Sequence, residues 1–417
     1  MIAHSATLEI NERVAARRRA GHSILHLGFG EAGLPVLPDL LERLRTAAPD
    51  NAYAPVAGSA PTREAAAGYW SRRGIPTGAD QIVLAPGSKA LLFAALAVLD
   101  GDVVLPQPSW VTYAAQAALT GKRVVGVPVP ADCGGVPDPD RLEDALRAAR
   151  ADGADPRIVV LTLPDNPTGT LAPEPTVRRV CEIADRLGLV ILSDEIYRDL
   201  THDGSGFTSP AQLLPERTVV TCGLSKNLAL GGWRIGFARL PSTPAARDWH
   251  AGMLGVASEV WSSISAPMET VAAYALGEPD PVRRRIAASR RLHGAVASAV
   301  YDVFADAGAE SRRPSAGFYL YPDLERLRPE LAKVGVDTGA ELGRHLLDRH
   351  GVAVLPGEEF GDPPEALRFR VATSLLYGAD VEQRLAALDS GDPVSLPWIS
   401  ASLRHLRGVL AALAQPT

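Results

Sequence analysis

Residues 218–237 read TVVTCGLSKNLALGGWRIGF, and this stretch indicates how the surrounding chain folds. Its first part, Thr218–Cys222, is a short apolar run rich in β-branched residues, which is typical of a buried strand. The run ends at a glycine, and Lys226 follows in the turn. A second apolar run, Ile235–Arg239, begins shortly afterwards. Two buried runs joined by a turn predict that Lys226 lies at the carboxyl end of a strand within a larger sheet.

The same pattern of short apolar runs continues from residue 80 to residue 240. The runs alternate there with amphipathic segments such as Lys89–Leu99 and Glu174–Leu187. The predicted strands are Gln81–Ala85, Asp102–Pro106, Arg123–Val129, Arg157–Leu163, Val190–Asp194, Thr218–Cys222 and Ile235–Arg239. Strands that alternate with helices favour a mostly parallel sheet covered on both faces. We therefore predict an α/β fold with a mostly parallel seven-stranded sheet sandwiched by helices. Ligands of such sheets bind at the carboxyl ends of the strands, so functional residues are expected just after each strand.

The alternation of apolar runs and amphipathic segments ends near residue 282, where one long helix is predicted over Pro281–Gly308. Short strands, predicted around Gly317–Tyr321, Val352–Leu355 and Leu367–Ala372, then alternate with helices and indicate a smaller α+β domain. The first 50 residues lack the strand–helix alternation and are expected to join it. The predicted large domain is residues 51–282, and the predicted small domain is residues 1–50 together with 283–417.

Composition and charge exclude several classes of protein. The chain has 417 residues, of which 46% are hydrophobic and 22% charged, as in ordinary globular proteins. Its net charge is −6, and its basic cluster Arg17–Arg19 falls on a predicted helix, so a solvated helix face is favoured over nucleic-acid binding. No apolar run is long enough to span a membrane, and no signal peptide is indicated. The cysteines at positions 133, 181 and 222 have neither disulfide nor metal-site spacing. We expect a cytoplasmic protein that binds no metal, membrane or nucleic acid.

Lys226 has the position that pyridoxal 5'-phosphate (PLP) chemistry requires. PLP enzymes need a lysine to hold the cofactor aldehyde as an imine (a Schiff base) and to move a proton once the substrate has displaced it. Arg234, eight residues further on, could pair with a phosphate through its planar guanidinium group, and Ser225 offers a hydroxyl to the same phosphate. Taken alone, such a lysine is more often a surface residue, so the interpretation depends on the other strand ends.

Two further strand ends carry polar side chains that suit the PLP ring. Asp194 ends the apolar run LVILSD, and a buried carboxylate there needs a partner such as a protonated pyridine nitrogen. Tyr197, three residues later, could hydrogen-bond the phenolic oxygen of the ring. Asn166, in the turn DNPTG, could donate to that oxygen from the other side. Taken singly, an acidic residue at a strand end and a DNPTG turn are equally compatible with a purely structural role.

The segment IVLAPGSKALLFAAL predicts a strand, a Gly-Ser turn and the start of a helix. Free N–H groups and the positive end of the helix dipole make Gly87, Ser88 and Lys89 a candidate phosphate site. Trp110, after the next predicted strand, could stack on a flat ring, although a core tryptophan is at least as plausible. All of these residues follow consecutive strands, and independent accidents would rarely assemble the whole set.

At this point the chain resembles the class I/II aminotransferases, PLP enzymes of fold type I, over residues 24–378. The matching segments are YAPVAGSAPTREAAAGYW, APGSKAL, PSW, DNPTG, SDEIY, LSKNLALGGWRIG, AGFYLY, GVAVLPGEEFG and RFRVAT. The resemblance implies that Lys226 is the imine lysine, that Asp194 pairs with the pyridine nitrogen, and that Tyr197 and Asn166 pair with the phenolic oxygen. It also implies ring stacking by Trp110 and a phosphate grip formed by Gly87, Ser88, Lys89, Ser225 and Arg234.

The resemblance further implies a homodimer with shared active sites, because Tyr53 matches a tyrosine that reaches the phosphate of the neighbouring subunit. Gly30 matches a backbone position beside the substrate carboxylate. Arg368, in RFRVAT, matches the arginine that binds the α-carboxylate of the substrate through a fork–fork pair. The implied substrates are an L-amino acid and a 2-oxo acid, between which the amino group is transferred.

Three features depart from the family pattern. Gly223 stands where the family usually has a serine, which removes one phosphate hydroxyl. Arg370 stands where the family often has a small or polar residue. Since residues two apart on a strand share a face, Arg370 either binds a second anion at the site or pairs with an acid and has no catalytic role. The segment after Gly378, which includes a predicted helix over Ser400–Ala414, is longer than the usual family tail and has no evident function.

Two alternatives to transamination remain open at this stage. The first is a β-eliminating C–S lyase or another PLP enzyme that does not transaminate, because the same activated substrate can follow other courses. The second is a PLP-binding protein without catalysis, such as a regulator, which is disfavoured because no DNA-binding module or basic patch precedes the fold.

Overall fold

A computed structural model describes residues 6–202 and 206–414 of the chain. The strands are β1 (Leu25–His26), β2 (Ile82–Pro86), β3 (Asp102–Gln107), β4 (Val124–Pro128), β5 (Pro156–Thr162), β6 (Val190–Asp194), β7 (Thr218–Gly223), β8 (Ile235–Arg239), β9 (Tyr319–Leu320), β10 (Val352–Ala353), β11 (Leu355–Pro356) and β12 (Phe369–Ala372).

The helices lie before, between and after these strands. They are α1 (Ala6–Arg19), α2 (Pro38–Ala47), α3 (Ala60–Ser71), α4 (Ser88–Val98), α5 (Val111–Leu119), α6 (Pro139–Ala151), α7 (Glu174–Leu187), α8 (Pro210–Leu213), α9 (Pro244–Val260), α10 (Ala266–Leu276), α11 (Asp280–Asp306), α12 (Arg328–Ala332), α13 (Gly339–His350), α14 (Val381–Asp389) and α15 (Pro397–Leu413). None of the described helices is long and apolar enough to cross a membrane.

The central sheet has seven strands in the order β2-β8-β7-β6-β5-β3-β4. Strands β7, β6, β5, β3 and β4 run parallel to one another, whereas β8 is antiparallel to both of its neighbours, β2 and β7. Each predicted strand of this sheet is confirmed, with bounds that differ by at most one residue at either end. The predicted mostly parallel α/β fold is therefore confirmed.

Both faces of the central sheet are covered, which explains why its strands are nearly continuous apolar runs. All residues of β6, β7 and β8 are buried. One face packs on α3 and α10, and the other on α4, α5 and α9. Helix α7 shows the matching pattern, because Val177, Val180, Cys181 and Ala184 form one buried stripe at helical spacing.

The remaining strands form two small sheets, β1 with β10 and β11-β12-β9. The long helix α11 lies beside them, and α14 and α15 pack on it, so the long carboxyl-terminal segment contributes to a shared apolar core. The pairing of β1 with β10 agrees with an amino-terminal segment that joins the small domain, but α2 packs on α10. The predicted boundary at residue 282 lies inside the first turn of α11. The domain division stays a prediction.

Candidate active site

A cavity of about 460 Å³ lies at the edge of the central sheet where the parallel strands end. Ten of the thirteen predicted site residues line it: Gly30, Ser88, Lys89, Trp110, Asn166, Asp194, Tyr197, Ser225, Lys226 and Arg234. The antiparallel direction of β8 explains how Arg234 reaches the same edge, because β8 begins where its neighbours end. Gly87 lies directly beside the cavity, whereas Tyr53 and Arg368 lie elsewhere.

Lys226 projects into the cavity from the turn after β7. Its Nζ donates a hydrogen bond to the carbonyl oxygen of Gly30 at 2.5 Å. Burial lowers the pKa of the Lys226 amine to about 8, and the nearby guanidinium of Arg370 acts in the same direction. An amine with this pKa is partly neutral near neutral pH, as a nucleophile or a general base requires.

Asp194 lies at the end of β6 and is 2% exposed. Its Oδ2 accepts a hydrogen bond from the hydroxyl of Tyr113 at 2.9 Å, and its Oδ1 accepts a longer one, 3.3 Å, from the backbone N–H of Ile196. Burial raises the pKa of the Asp194 carboxyl to about 6, while the Tyr113 hydrogen bond opposes that shift. Within the described residues Asp194 has no ion-pair partner, so it suits a protonated ring nitrogen as its counter-ion.

The β2–α4 turn and Arg234 form a candidate phosphate cradle in the cavity. Gly87 has a φ of +90° and precedes α4, whose first N–H groups are free to bind an anion. A Cβ atom at Gly87 would collide with the Arg234 guanidinium, so only glycine permits this close approach. Arg234 donates to the carbonyl oxygens of Gly231 and Pro86, and among the described residues it has no acidic partner. It is therefore available to a phosphate.

A second guanidinium, that of Arg370, also lines the cavity. Arg370 is 1% exposed, and its two terminal nitrogens donate to Asn166 Oδ1 at 3.0 Å and to the Gly28 carbonyl oxygen at 2.9 Å. The guanidinium carbon lies 4.8 Å from the centre of the Tyr319 ring. No carboxylate of the described residues pairs with Arg370. A buried cation held only by neutral acceptors is suited to an anionic ligand.

The structure corrects the predicted position of Arg368, which lines a neighbouring cavity of about 450 Å³ instead. Its Nε donates to Asp323 at 2.7 Å, and its Nη1 lies 3.4 Å from Asp362. Arg368 lies one residue before β12 and bridges Asp323 in the register that pairs β12 with β9, so its carboxylate partners, and not a break in the strand, distinguish it from Arg370. Its two carboxylate partners hold the side chain away from the candidate site. Of the two arginines, only Arg370 lines the candidate site.

Tyr53 also lies outside the cavity of its own chain. Its side chain is 92% exposed, in the segment before α3. Among the described residues, Tyr53 therefore does not line the candidate site of its own chain.

Two tyrosines that the sequence patterns did not indicate shape the site. Tyr113, in the first turn of α5, bonds Asp194 and also shares a hydrogen bond of 2.9 Å with Thr162. Tyr319 shares a hydrogen bond of 2.8 Å with Tyr197. The available signals were weak: Tyr113 stands one helical turn after Trp110, and Tyr319 lies within the segment AGFYLY.

These groups together fit PLP. A buried carboxyl that lacks a cationic partner faces the same cavity as an amine of lowered pKa, and a glycine turn with a free arginine offers a phosphate cradle. A second free arginine offers a place for a carboxylate. The fold and the site thus define a PLP-dependent enzyme that acts on a carboxylate substrate.

Comparison with known proteins identifies the family. The sequence model that describes the family 'aminotransferase class I and II' matches residues 23–376 of this chain. The chain belongs to this family. It is 31% identical to the aspartate aminotransferase of Geobacillus stearothermophilus over 89% of this chain and 92% of that relative. It is 32% identical to the arginine–pyruvate transaminase AruH of Pseudomonas aeruginosa, over 90% and 91% of the two chains.

A solved structure supports the same assignment. The aspartate aminotransferase of Thermus thermophilus, determined with maleate, superimposes with a TM-score of 0.80 at 27% identity and covers 93% of this chain and 96% of its own. The protein is a PLP-dependent aminotransferase. The named relatives are transaminases, which favours transamination over elimination or a non-catalytic role.

Proposed function

We propose that Lys226 attaches the cofactor and carries the proton during transfer of an amino group between an L-amino acid and a 2-oxo acid. When bound, the cofactor withdraws electrons from the substrate Cα and so makes its proton acidic. The observation that carries the proposal is the convergence of Lys226, Asp194 and Arg370 on one cavity. Lys226 is buried and has a pKa of about 8, so its amine can accept a Cα proton at neutral pH.

Asp194 is proposed to hold the ring nitrogen protonated, and its neighbours set its geometry. The Tyr113 hydroxyl occupies Oδ2, whereas Oδ1 accepts only a long hydrogen bond from a backbone N–H. Asn166 and Tyr197 are proposed to bind the phenolic oxygen. The hydroxyl of Tyr319 supports Tyr197, since the two oxygens are 2.8 Å apart.

Arg370, in place of Arg368, is proposed to bind the α-carboxylate of the substrate. Its guanidinium is buried, lines the cavity and has no acidic partner among the described residues, whereas Arg368 pairs with Asp323 and Asp362. Asn166 Oδ1 and the Gly28 carbonyl hold the Arg370 fork in one orientation. A fixed fork selects which bond of the substrate Cα is aligned for cleavage. The Thermus relative was solved with maleate, a dicarboxylate, which agrees with a carboxylate-binding end of the cavity.

The active enzyme is proposed to be a cytoplasmic homodimer that shares its sites. Tyr53 supports this, because a tyrosine that is 92% exposed and lies outside its own cavity is free to contact a second subunit. Sedimentation of the purified protein is expected to give the mass of a dimer. A monomeric mass with full activity would contradict the shared site.

The function is tested in a half-reaction. The PLP-loaded enzyme is mixed with single amino acids, including aspartate, asparagine and arginine, without any oxo acid. Stoichiometric conversion of the cofactor spectrum to that of its aminated form, with one equivalent of 2-oxo acid released, is expected for the substrate. Cysteine, whose β-thiol can leave as sulfide, is included as the test of elimination. Its continuous conversion to pyruvate, ammonia and sulfide with an unchanged cofactor would contradict transamination.

The Lys226→Ala variant is the matched control in the same assay. It is expected to lose the absorption band of the covalently attached cofactor and to lower the turnover rate by at least about 10⁴-fold, because it removes both the attachment point and the base. A variant that keeps this band would show that another residue holds the cofactor.

A further inference from the structure

A separate cavity, of about 510 Å³, lies between the first turns of α11 and helix α14. It shares no lining residue with the candidate active site. Three arginines line it, Arg284, Arg285 and Arg291, against a single acidic residue, Asp389. This excess of positive charge is unexpected in a chain whose net charge is −6.

Arg285 is the buried member of this group, at 6% exposure. One terminal nitrogen donates to the carbonyl oxygen of Pro35, and its Nε has no hydrogen-bond partner within the described residues. Burial lowers the pKa of the Arg285 guanidinium, and Asp389 opposes that shift without lying close enough to form an ion pair. Burying a cation without an anion is costly, so this guanidinium favours an anionic ligand.

Arg284 and Arg291 add exposed charge at the rim of the same cavity. They stand seven residues apart on α11 and therefore share one face of the helix. Neither forms an ion pair with a described residue, although Arg283, beside them, pairs with Asp280. Like charges gathered on one helix face repel each other, and a bound anion would relieve that repulsion.

The rest of the wall is apolar. Leu37, Leu385 and Leu388 line the cavity, and Leu385 is 39% exposed at its edge. The volume falls within the range of small-molecule sites. An inorganic ion would leave this apolar surface in contact with water, whereas an organic anion would cover it.

We propose that this cavity binds a small organic anion. Its carboxylate or phosphate group is held by Arg284, Arg285 and Arg291, and its apolar body lies against Leu37, Leu385 and Leu388. Planar guanidinium forks bind both kinds of oxyanion, so the two head groups share one recognition chemistry. The proposal is independent of the catalytic roles assigned above, because no residue is common to the two cavities.

The test measures binding of two probes, phenyl phosphate and 3-phenylpropionate, to the PLP-loaded enzyme by calorimetry. Their relative affinities identify the head group. At least one probe is expected to bind at one site per chain. The double variant Arg284→Ala/Arg291→Ala is expected to weaken this binding by about tenfold or more, since it removes two charge-assisted contacts. The matched control Arg147→Ala/Arg150→Ala removes two exposed arginines from α6 and is expected to leave binding unchanged.

A third variant distinguishes binding inside the cavity from electrostatic attraction of the probe to exposed arginines. Ala288→Phe fills the cavity but keeps all three arginines, and it is expected to abolish binding. Absence of binding by the wild type, equal binding by the Arg284/Arg291 variant, or retained binding by Ala288→Phe would each overturn the proposal. Probe binding that changes the cofactor spectrum and is lost in Arg370→Ala would place the probe in the catalytic cavity and would also overturn it.

Discussion

Arg368 and Arg370 stand two residues apart, yet they line different cavities and differ in their partners. Arg368 is neutralised by Asp323 and Asp362, and its side chain is 42% exposed. Arg370 is buried and held by two neutral oxygens, those of Asn166 and Gly28. The two side chains have identical chemistry, but only Arg370 keeps its charge available to a ligand. The carboxylates around an arginine, more than its position in a motif, therefore decide whether it can bind substrate.

The largest expected effect separates the two arginines in catalysis. Arg370→Ala is expected to raise KM for the amino acid on the order of 100-fold, because two charge-assisted hydrogen bonds to the α-carboxylate are lost. Arg368→Ala is expected to change KM by less than about threefold, since its charge is already paired. Steady-state kinetics on both variants measures the difference.

Arg370→Lys serves as the control for a loss of folding. It keeps the charge but loses the planar fork, so its KM is expected to lie between those of the wild type and Arg370→Ala. Equal effects of Arg368→Ala and Arg370→Ala would refute the assignment, and a larger effect of Arg368→Ala would restore the original prediction.

A smaller effect is expected on the pH dependence of cofactor attachment. The neutral amine of Lys226 is the reactive form, so the rate at which PLP attaches to cofactor-free enzyme should rise with pH and level off above its pKa of about 8. The Arg370 cation disfavours the protonated form of the Lys226 amine. Removing this cation therefore raises the pKa of Lys226. In Arg370→Ala the inflection should move upward by up to about one pH unit.

Arg368→Ala is the comparison in this measurement. Its guanidinium is not among the charges that shift the pKa of Lys226, so the inflection should stay where it is in the wild type. Stopped-flow absorbance between pH 6 and 10 gives both curves. A downward shift in Arg370→Ala would mean that Arg370 does not act on Lys226 as a nearby positive charge.

The smallest effect concerns stability. Arg368→Ala is expected to lower the free energy of unfolding by no more than about 1 kcal/mol, because partly exposed ion pairs contribute little in water. Urea unfolding of the PLP-loaded enzyme measures it, with Arg326→Ala, an exposed arginine paired with Glu310, as the matched control. A loss of several kcal/mol would show that the Arg368 pairs are energetically equivalent to buried ones.

The sequence was sufficient to predict the central sheet and most of the site. Strands such as Val190–Asp194 are buried on both faces, so their apolar runs are continuous and end at glycine or polar turns. Functional side chains follow those ends because parallel strands present their carboxyl ends at one edge. Lys226, Asp194 and Asn166 could therefore be predicted as a set of strand-end residues, although none of the three local patterns was sufficient by itself.

The contacts that local patterns could not reveal are those made between distant segments. Nothing near Arg368 in sequence indicates that Asp323 will pair with it, and nothing near Asp194 indicates the Tyr113 hydroxyl. Both contacts depend on how helices and loops pack after the sheet has formed. The resemblance to a family motif led to Arg368, whereas Arg370 is the arginine that lines the candidate site.

The hydrogen bonds of Arg370 have a consequence for the order in which the enzyme becomes competent during its synthesis. They join residues that are 204 and 342 positions apart along the chain. Contacts of such long range form late, because the intervening chain must first be ordered. On the ribosome, the strands that carry Asp194 and Lys226 can assemble early, since domains begin to fold before synthesis is complete. The contacts of Arg370 must wait until residue 370 has emerged, so a nascent chain stalled before that point lacks one wall of the candidate site.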